Sequence, residues 1–238
     1  MTNSFDFGSF SSANAVSTSK RSLKPYGSYK VNFNGVELTT VAKKDDPNIT
    51  FQVIDIHFEG EEGVFNQRIF YPSRPEDSQR PTYTNANGHE YQRPSRMEEA
   101  MYNMLQLLQV LTPEGADKFK ANISKCKTFD DAAKLFEKLV NTKKEAEMYI
   151  KLTGRNSNGT IYAQLPSPIG LNKSNEIFPV NVFSLKDDFN WSAYELQQKK
   201  AYESAKPTQM GGKTEEISLQ IDGTSEDDQE LDDLLAGL

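Results

Sequence analysis

The sequence predicts an α+β fold, mainly β, and three observations carry that prediction. Apolar and polar residues alternate in strand-like stretches between residues 28 and 71 and again after residue 145, whereas between about 95 and 141 the apolar residues recur at helical spacing. The 238 residues suffice for one generous domain with appendages, yet only 36% are hydrophobic and 26% charged, so part of the length is expected to stay unpacked. Acidic residues gather at the C-terminus. Nine lie between Thr214 and Leu238 with no Lys or Arg, and removing those nine from a net charge of −7 leaves a body at +2.

Taken in order, residues 1–24 are rich in Ser, Asn and Thr around Phe5, Phe7 and Phe10 and read as a flexible N-terminal arm. The core is expected over 25–205. Its first strand runs from Ser28 to Leu38, with Tyr29, Val31 and Phe33 alternating with Lys30 and Asn32. A charged loop with Pro47 leads to a second strand, Thr50 to Phe58, and Glu59–Gly63 turns the chain into a third, Val64 to Tyr71. Ser95-Arg96-Met97-Glu98 is a capping box that opens a helix carrying Met101, Met104, Leu105, Leu108 and Leu111. Thr112-Pro113 ends it and starts a second, and Thr128–Val140 supplies a third with Ala132, Phe136 and Leu139 on one face. A hairpin follows: Met148, Ile150 and Leu152 on one strand, Ile161, Ala163 and Leu165 on the other. Three strands before the helices and two after match the strand count of an OB-fold, so the expectation is an OB-fold-like five-stranded barrel with a helical insertion. An edge strand near Ile177–Phe183 and a last helix, Asp188–Ala205, complete the core, and 206–238 reads as a linker and disordered acidic tail.

The chemistry concentrates between Phe65 and Arg96. Five of the chain's seven arginines lie there, interleaved with Phe70, Tyr71, Tyr83, His89 and Tyr91 and with four prolines that predict a long irregular loop. Arginine contacts phosphate and stacks on bases, and aromatic rings carry unpaired bases, so this mixture suits single-stranded nucleic acid. Strand alternation adds to it. One sheet face would bury Ile54, Ile56, Phe65, Ile69, Ile150 and Ile161, while the other presents Arg68, Phe70, Tyr149, Lys151 and Tyr162. The candidate DNA-binding set is therefore Arg68, Phe70, Tyr71, Arg74, Arg80, Tyr83, Tyr91, Arg93, Arg96, Tyr149, Lys151, Arg155 and Tyr162.

Other chemistry finds no support. One cysteine and two histidines exclude an internal disulfide and a zinc site of the usual spacing. There is no phosphate-binding glycine loop, and no nucleophile pairs with a histidine motif. Paired carboxylates such as Asp130-Asp131 sit where helix starts explain them. The expectation is a non-catalytic protein with no cofactor and no metal. No run of about 18 apolar residues occurs, which predicts a soluble, cytoplasmic protein that does not engage membranes.

The strand count, the Arg/Tyr-rich loop and the ending Asp232-Asp233-Leu234-Leu235-Ala236-Gly237-Leu238 resemble the single-stranded DNA-binding proteins of tailed phages, those of crAss-like phages most of all. The likeness is a pattern over 25–205 and a tail over 214–238. It implies a protein of phage DNA replication and recombination, working in the host cytoplasm, that coats unpaired DNA. It further implies recruitment of a polymerase, helicase or primase through the tail residues Asp227, Asp228, Glu230, Leu231, Asp232, Asp233, Leu234, Leu235 and Leu238. A homo-oligomer on DNA stays open, as do two other classes: a structural, virion or scaffold interaction protein, and an RNA-binding OB-fold regulator.

Overall fold

The long alternating stretches assemble into one antiparallel sheet backed by helices. The computed structural model describes residues 21–43, 46–84, 88, 90–157, 159–172 and 176–205; the N-terminal arm up to residue 20, His89, and the linker and tail at 206–238 lie outside the described residues, together with the expectations placed on them. In chain order the elements are β1 (Gly27–Lys43), β2 (Asp46–Gly60), β3 (Gly63–Phe70), β4 (Thr82–Thr84), β5 (Glu90–Gln92), α1 (Arg96–Leu111), α2 (Pro113–Asn122) and α3 (Phe129–Val140). There follow β6 (Ala146–Ser157), β7 (Thr160–Gln164), β8 (Ile169–Leu171), β9 (Ile177–Pro179), β10 (Phe183–Ser184) and α4 (Ala193–Ser204).

The main sheet has six strands in the order β10-β6-β1-β2-β3, with β7 pairing the far half of β6. The central strand β1 makes the alternation easy to follow. Tyr29, Val31 and Phe33 point inward, and then the register against β2 shifts between Phe33 and Gly35. This bulge flips the pleat, so Val36 continues the inward face. Gly35 takes φ +112 there, a conformation costly for any side chain. Asn141, just beyond α3, closes the irregularity: its Oδ1 accepts from the Val36 N–H at 2.7 Å and its Nδ2 donates to the Val36 carbonyl at 2.9 Å.

Helices α1–α3 cover one face of the sheet. Their capping explains where they start: the Ser95 hydroxyl accepts from the Glu98 N–H while the Glu98 carboxylate accepts from the Ser95 N–H, and Thr128 with Asp131 repeats the arrangement at α3. Met104, Leu107 and Leu108 of α1, Phe119 of α2, and Ala133, Phe136 and Val140 of α3 form one core with Phe33, Ile54, Ile56, Phe58, Met148, Ile150 and Leu152 of the sheet. Each large apolar side chain so buried contributes roughly 1.5–3 kcal/mol.

Four expectations change. The barrel is not closed, because closure needs β3 to meet β7 or β10 and no such pairing exists among the described residues. At its start the β3 edge carries a short parallel bridge instead: Leu23 N–H donates to Val64 O at 2.9 Å and Val64 N–H to Arg21 O at 2.8 Å. Second, β1 and β2 run on to Lys43 and from Asp46 as a projecting hairpin, since Thr39–Ala42 still pair with Thr50–Val53 although of these only Val53 is buried. Third, the loop after β3 is not irregular; it holds a 3-10 turn, Pro75–Ser78, and the small hairpin β4–β5. Fourth, the stretch near Ile177–Phe183 splits, β9 pairing β8 while β10 joins the main sheet, and the last helix begins at Ala193 rather than Asp188.

Candidate nucleic-acid interface

On β2 the inward residues Ile54, Ile56 and Phe58 leave Phe51, Val53, Asp55 and His57 to the opposite face, and on β3 the same rule leaves Asn66, Arg68 and Phe70. Register brings them together. Phe70 lies across from Val53, and its ring meets Phe51 edge-on at 6.0 Å. Both rings face solvent, at 51% and 40% exposure, which is unusual for large apolar side chains. Arg68 lies across from Asp55 and donates to it twice, Nε to Oδ1 at 3.2 Å and Nη2 to Oδ2 at 2.8 Å.

The arginine stretch is built around a buried carboxylate, Asp77. It accepts from the backbone N–H groups of Ser73 and Arg74 at 3.1 and 3.0 Å, and its Oδ1 accepts from Arg74 Nη2 at 3.2 Å and faces Arg96 Nη1 at 3.5 Å. Burial alone would push Asp77 up, but these bonds and the two guanidinium charges hold it below the usual carboxylate range. Arg80 forks onto Glu98 at 2.9 and 2.7 Å and so ties the loop to the cap of α1. Beyond it, β4 and β5 pair Tyr83 with Tyr91, their rings stacked at 5.8 Å and about 40% exposed. Arg93 completes a ladder, its guanidinium 4.5 Å from the Tyr83 centroid and 5.8 Å from that of Tyr91.

A third group sits on the β6–β7 hairpin, where Arg155 and the 56%-exposed Tyr162 are direct cross-strand partners. Tyr149 is only half buried, farther along the same face of β6.

Two members of the predicted set lie elsewhere. Tyr71 turns toward the helices: its ring meets Phe129 edge-on at 4.9 Å and its hydroxyl donates to Asp130 at 3.4 Å, and burial with the Asp130 charge pushes the phenol up to about 12. Lys151, expected on the open face, is 2% exposed. The face is correct, but the segment leading into α4 covers it: Nζ donates to the Asn190 carbonyl at 2.7 Å and lies 2.7 Å from Glu195 Oε1, with the Trp191 ring 4.7 Å away. A lysine so enclosed holds the structure together and touches no ligand in this arrangement.

The two ends of the sheet differ in charge. Glu59, Glu61, Glu62 and Glu147 surround the β2–β3 turn with Lys30 and Arg21 among them, whereas the aromatic–arginine groups lie away from it. Sequence reasoning missed Phe51, Asp77, Glu99 and Trp191. Of these only Phe51 carried a signal, as the residue that alternation places beside Phe70 on the open face. Among the described residues no cluster of His, Cys, Asp and Glu could hold a metal, and no helix is long and apolar enough to cross a membrane. Compared with protein-family models, with curated proteins and with solved structures, the chain has no match in any of the three.

Proposed function

We propose that the protein binds single-stranded DNA with little sequence preference and without catalysis, through an OB-fold-like sheet whose barrel is left open. One observation carries the reading: arginine accompanies solvent-facing rings at three separate places, Arg93 with Tyr83 and Tyr91, Arg68 with Phe51 and Phe70, and Arg155 with Tyr162. These rings pack on one another or, for Tyr162, lie opposite an arginine, but stand outside the core, and base stacking on each is worth roughly 1–3 kcal/mol whatever the base. The resemblance of the core pattern and acidic tail to phage single-stranded DNA-binding proteins supports a place in phage replication and recombination, with the tail recruiting replication enzymes.

Fluorescence titration with oligo-dT at two salt concentrations tests this. Arg68 and Arg80 already fork onto carboxylates, Asp55 and Glu98. Few guanidiniums are therefore released to phosphates, and stacking must supply most of the affinity. With about three phosphate contacts the logarithmic salt slope is on the order of −2, a loss of roughly fifteenfold between 50 and 200 mM.

The same carboxylate pairing favours a second reading, a protein-binding surface on a structural or scaffold component. Absence of oligo-dT binding at low salt, in a chain lacking residues 214–238, selects that reading. Preferential displacement by oligo-U selects an RNA-binding regulator.

A further inference from the structure

Between the β4–β5 hairpin and the first turn of α1 lies a cleft of about 430 Å³, large enough for one nucleotide, lined by Arg74, Tyr83, Arg93, Arg96, Glu76 and Glu99. Its arginines are held in unusual ways. Arg74 and Arg96 both lean on one oxygen of the buried Asp77, so two guanidiniums are drawn to a single point while most of each stays in solvent. Arg93 is fixed by stacking on Tyr83. All three are thus preorganised, and ordering a long side chain is the main entropic cost of a charged contact. The cleft also opens at the N-terminal end of a 16-residue helix, whose dipole favours an anion.

We propose that this cleft seats one nucleotide, its phosphate between Arg74 and Arg96 and its base against Tyr83 and Arg93. The proposal rests on the DNA-binding reading and names the point on the surface where the strand is gripped. Three acidic side chains limit it. Asp77 lines the cleft and keeps both guanidiniums on its Oδ1, so a phosphate must engage the N–H groups they leave in solvent. Glu76 lies 3.2 Å from Arg74 Nη1 and must swing aside, which its exposed position permits. Glu99 lines the wall and accepts from the Ser167 hydroxyl at 2.9 Å, which ties its carboxylate to Ser167 while the two arginines are drawn to Asp77.

Calorimetric titration of the full chain with dTMP, thymidine and inorganic phosphate tests the seat. dTMP is expected to bind more tightly than thymidine or phosphate, and Arg74→Gln with Arg96→Gln should weaken it about tenfold or more, the loss expected for hydrogen bonds to a charged group. Tyr83→Leu attacks the other wall and should weaken dTMP while leaving inorganic phosphate unaffected. Melting temperature verifies that each variant is folded. dTMP binding that is absent, or unchanged in both variants, overturns the seat. Oligo-dT on the same proteins separates the two readings. If oligo-dT binds the wild type and the arginine pair equally, the DNA reading stands and the seat falls. If oligo-dT does not bind but dTMP does and depends on the arginines, the seat stands and the coating function falls. Tighter binding of 5′-phosphorylated than of 5′-hydroxyl oligo-dT assigns the seat to a strand end, and equal binding assigns it to an internal phosphodiester.

Discussion

Asp77 and Glu98 are the residues through which acid should act on this protein. The Arg80 guanidinium, against the opposing effect of burial, keeps Glu98 below the usual carboxylate range, helped by the Ser95 N–H. Asp77 is lowered likewise, although its burial works the other way. A carboxyl held below its unfolded value stabilises the fold above the unfolded range, near pH 4, and loses that contribution as pH falls through the folded value. Melting temperature is therefore expected to drop as pH falls below about 4, and Glu98→Gln should flatten the drop while lowering stability at neutral pH. Glu99 has the opposite sign. Its burial raises it, so its charge is a cost above the raised value, and Glu99→Gln should raise the melting temperature at pH 7 but not at pH 3. Position on the sheet decides a third comparison. Ile54→Ala empties a fully buried site and should cost about 2–5 kcal/mol in denaturant unfolding, whereas Phe70→Ala and Tyr162→Ala should each cost under about 1 kcal/mol and weaken oligo-dT binding. Equal losses of stability in all three would show that the faces are reversed.

Among the elements, α4 is the one most weakly attached. None of its residues is buried, and it is held by Glu195 on Lys151, by Tyr202 against Tyr26 at 5.7 Å, and by Trp191 between Lys151 and Lys199. Trp191 is the chain's one tryptophan, so its emission reports this contact alone. Glu195→Ala removes both the partner of a buried ammonium and the α4 capping box. Because holding that ammonium unpaired would cost about 3–5 kcal/mol, α4 should lift and let water in. Trp191 emission is expected to shift to the red while the main sheet melts nearly unchanged; a fixed emission maximum would show that other contacts hold the helix. The elements also show what a sequence can reveal. The strands β1–β3, β6 and β7 were legible because each repeats its period over several residues, and α1–α3 because caps and apolar spacing agree. The hairpin β4–β5, three residues a side among prolines, and the two-residue β10 are too short to show a period. The arginine pairings were hidden for another reason: Arg68 finds Asp55 13 residues away, Arg80 finds Glu98 18 away and Lys151 finds Glu195 44 away. Only the folded register creates those pairs, so the stretch looked richer in free positive charge than it is.

For the whole molecule the question is how a chain of net charge −7 could hold a polyanion at all. The sheet itself is divided, with Glu59, Glu61, Glu62 and Glu147 around the β2–β3 turn and the ring–arginine groups away from it. Phe51 and Glu59 are separated along β2 by about 26 Å at the rise of a strand, so a bound strand can follow the rings and stay beyond a Debye length from the acidic turn at physiological salt. The larger repulsion comes from the tail, whose nine carboxylates offset a body at +2 when subtracted from −7. On the proposed DNA-binding reading, those tethered carboxylates would compete with DNA for Arg93, Arg155 and the cleft arginines at an effective concentration set by the chain between them rather than by the solution. Leu231, Leu234, Leu235 and Leu238 have no use in a merely solubilising segment, and on the same proposed reading they would dock on a basic, apolar-lined pocket of a replication enzyme. Deleting residues 214–238 should therefore tighten oligo-dT binding several-fold at low ionic strength, with the gain shrinking as salt screens the competition. The same deletion should abolish co-purification of a polymerase, helicase or primase with DNA-bound protein. Unchanged affinity at low salt would remove the competition and leave recruitment as the tail's one role; a gain that persists undiminished at high salt would mean that the leucines, not the charges, reach the binding surface.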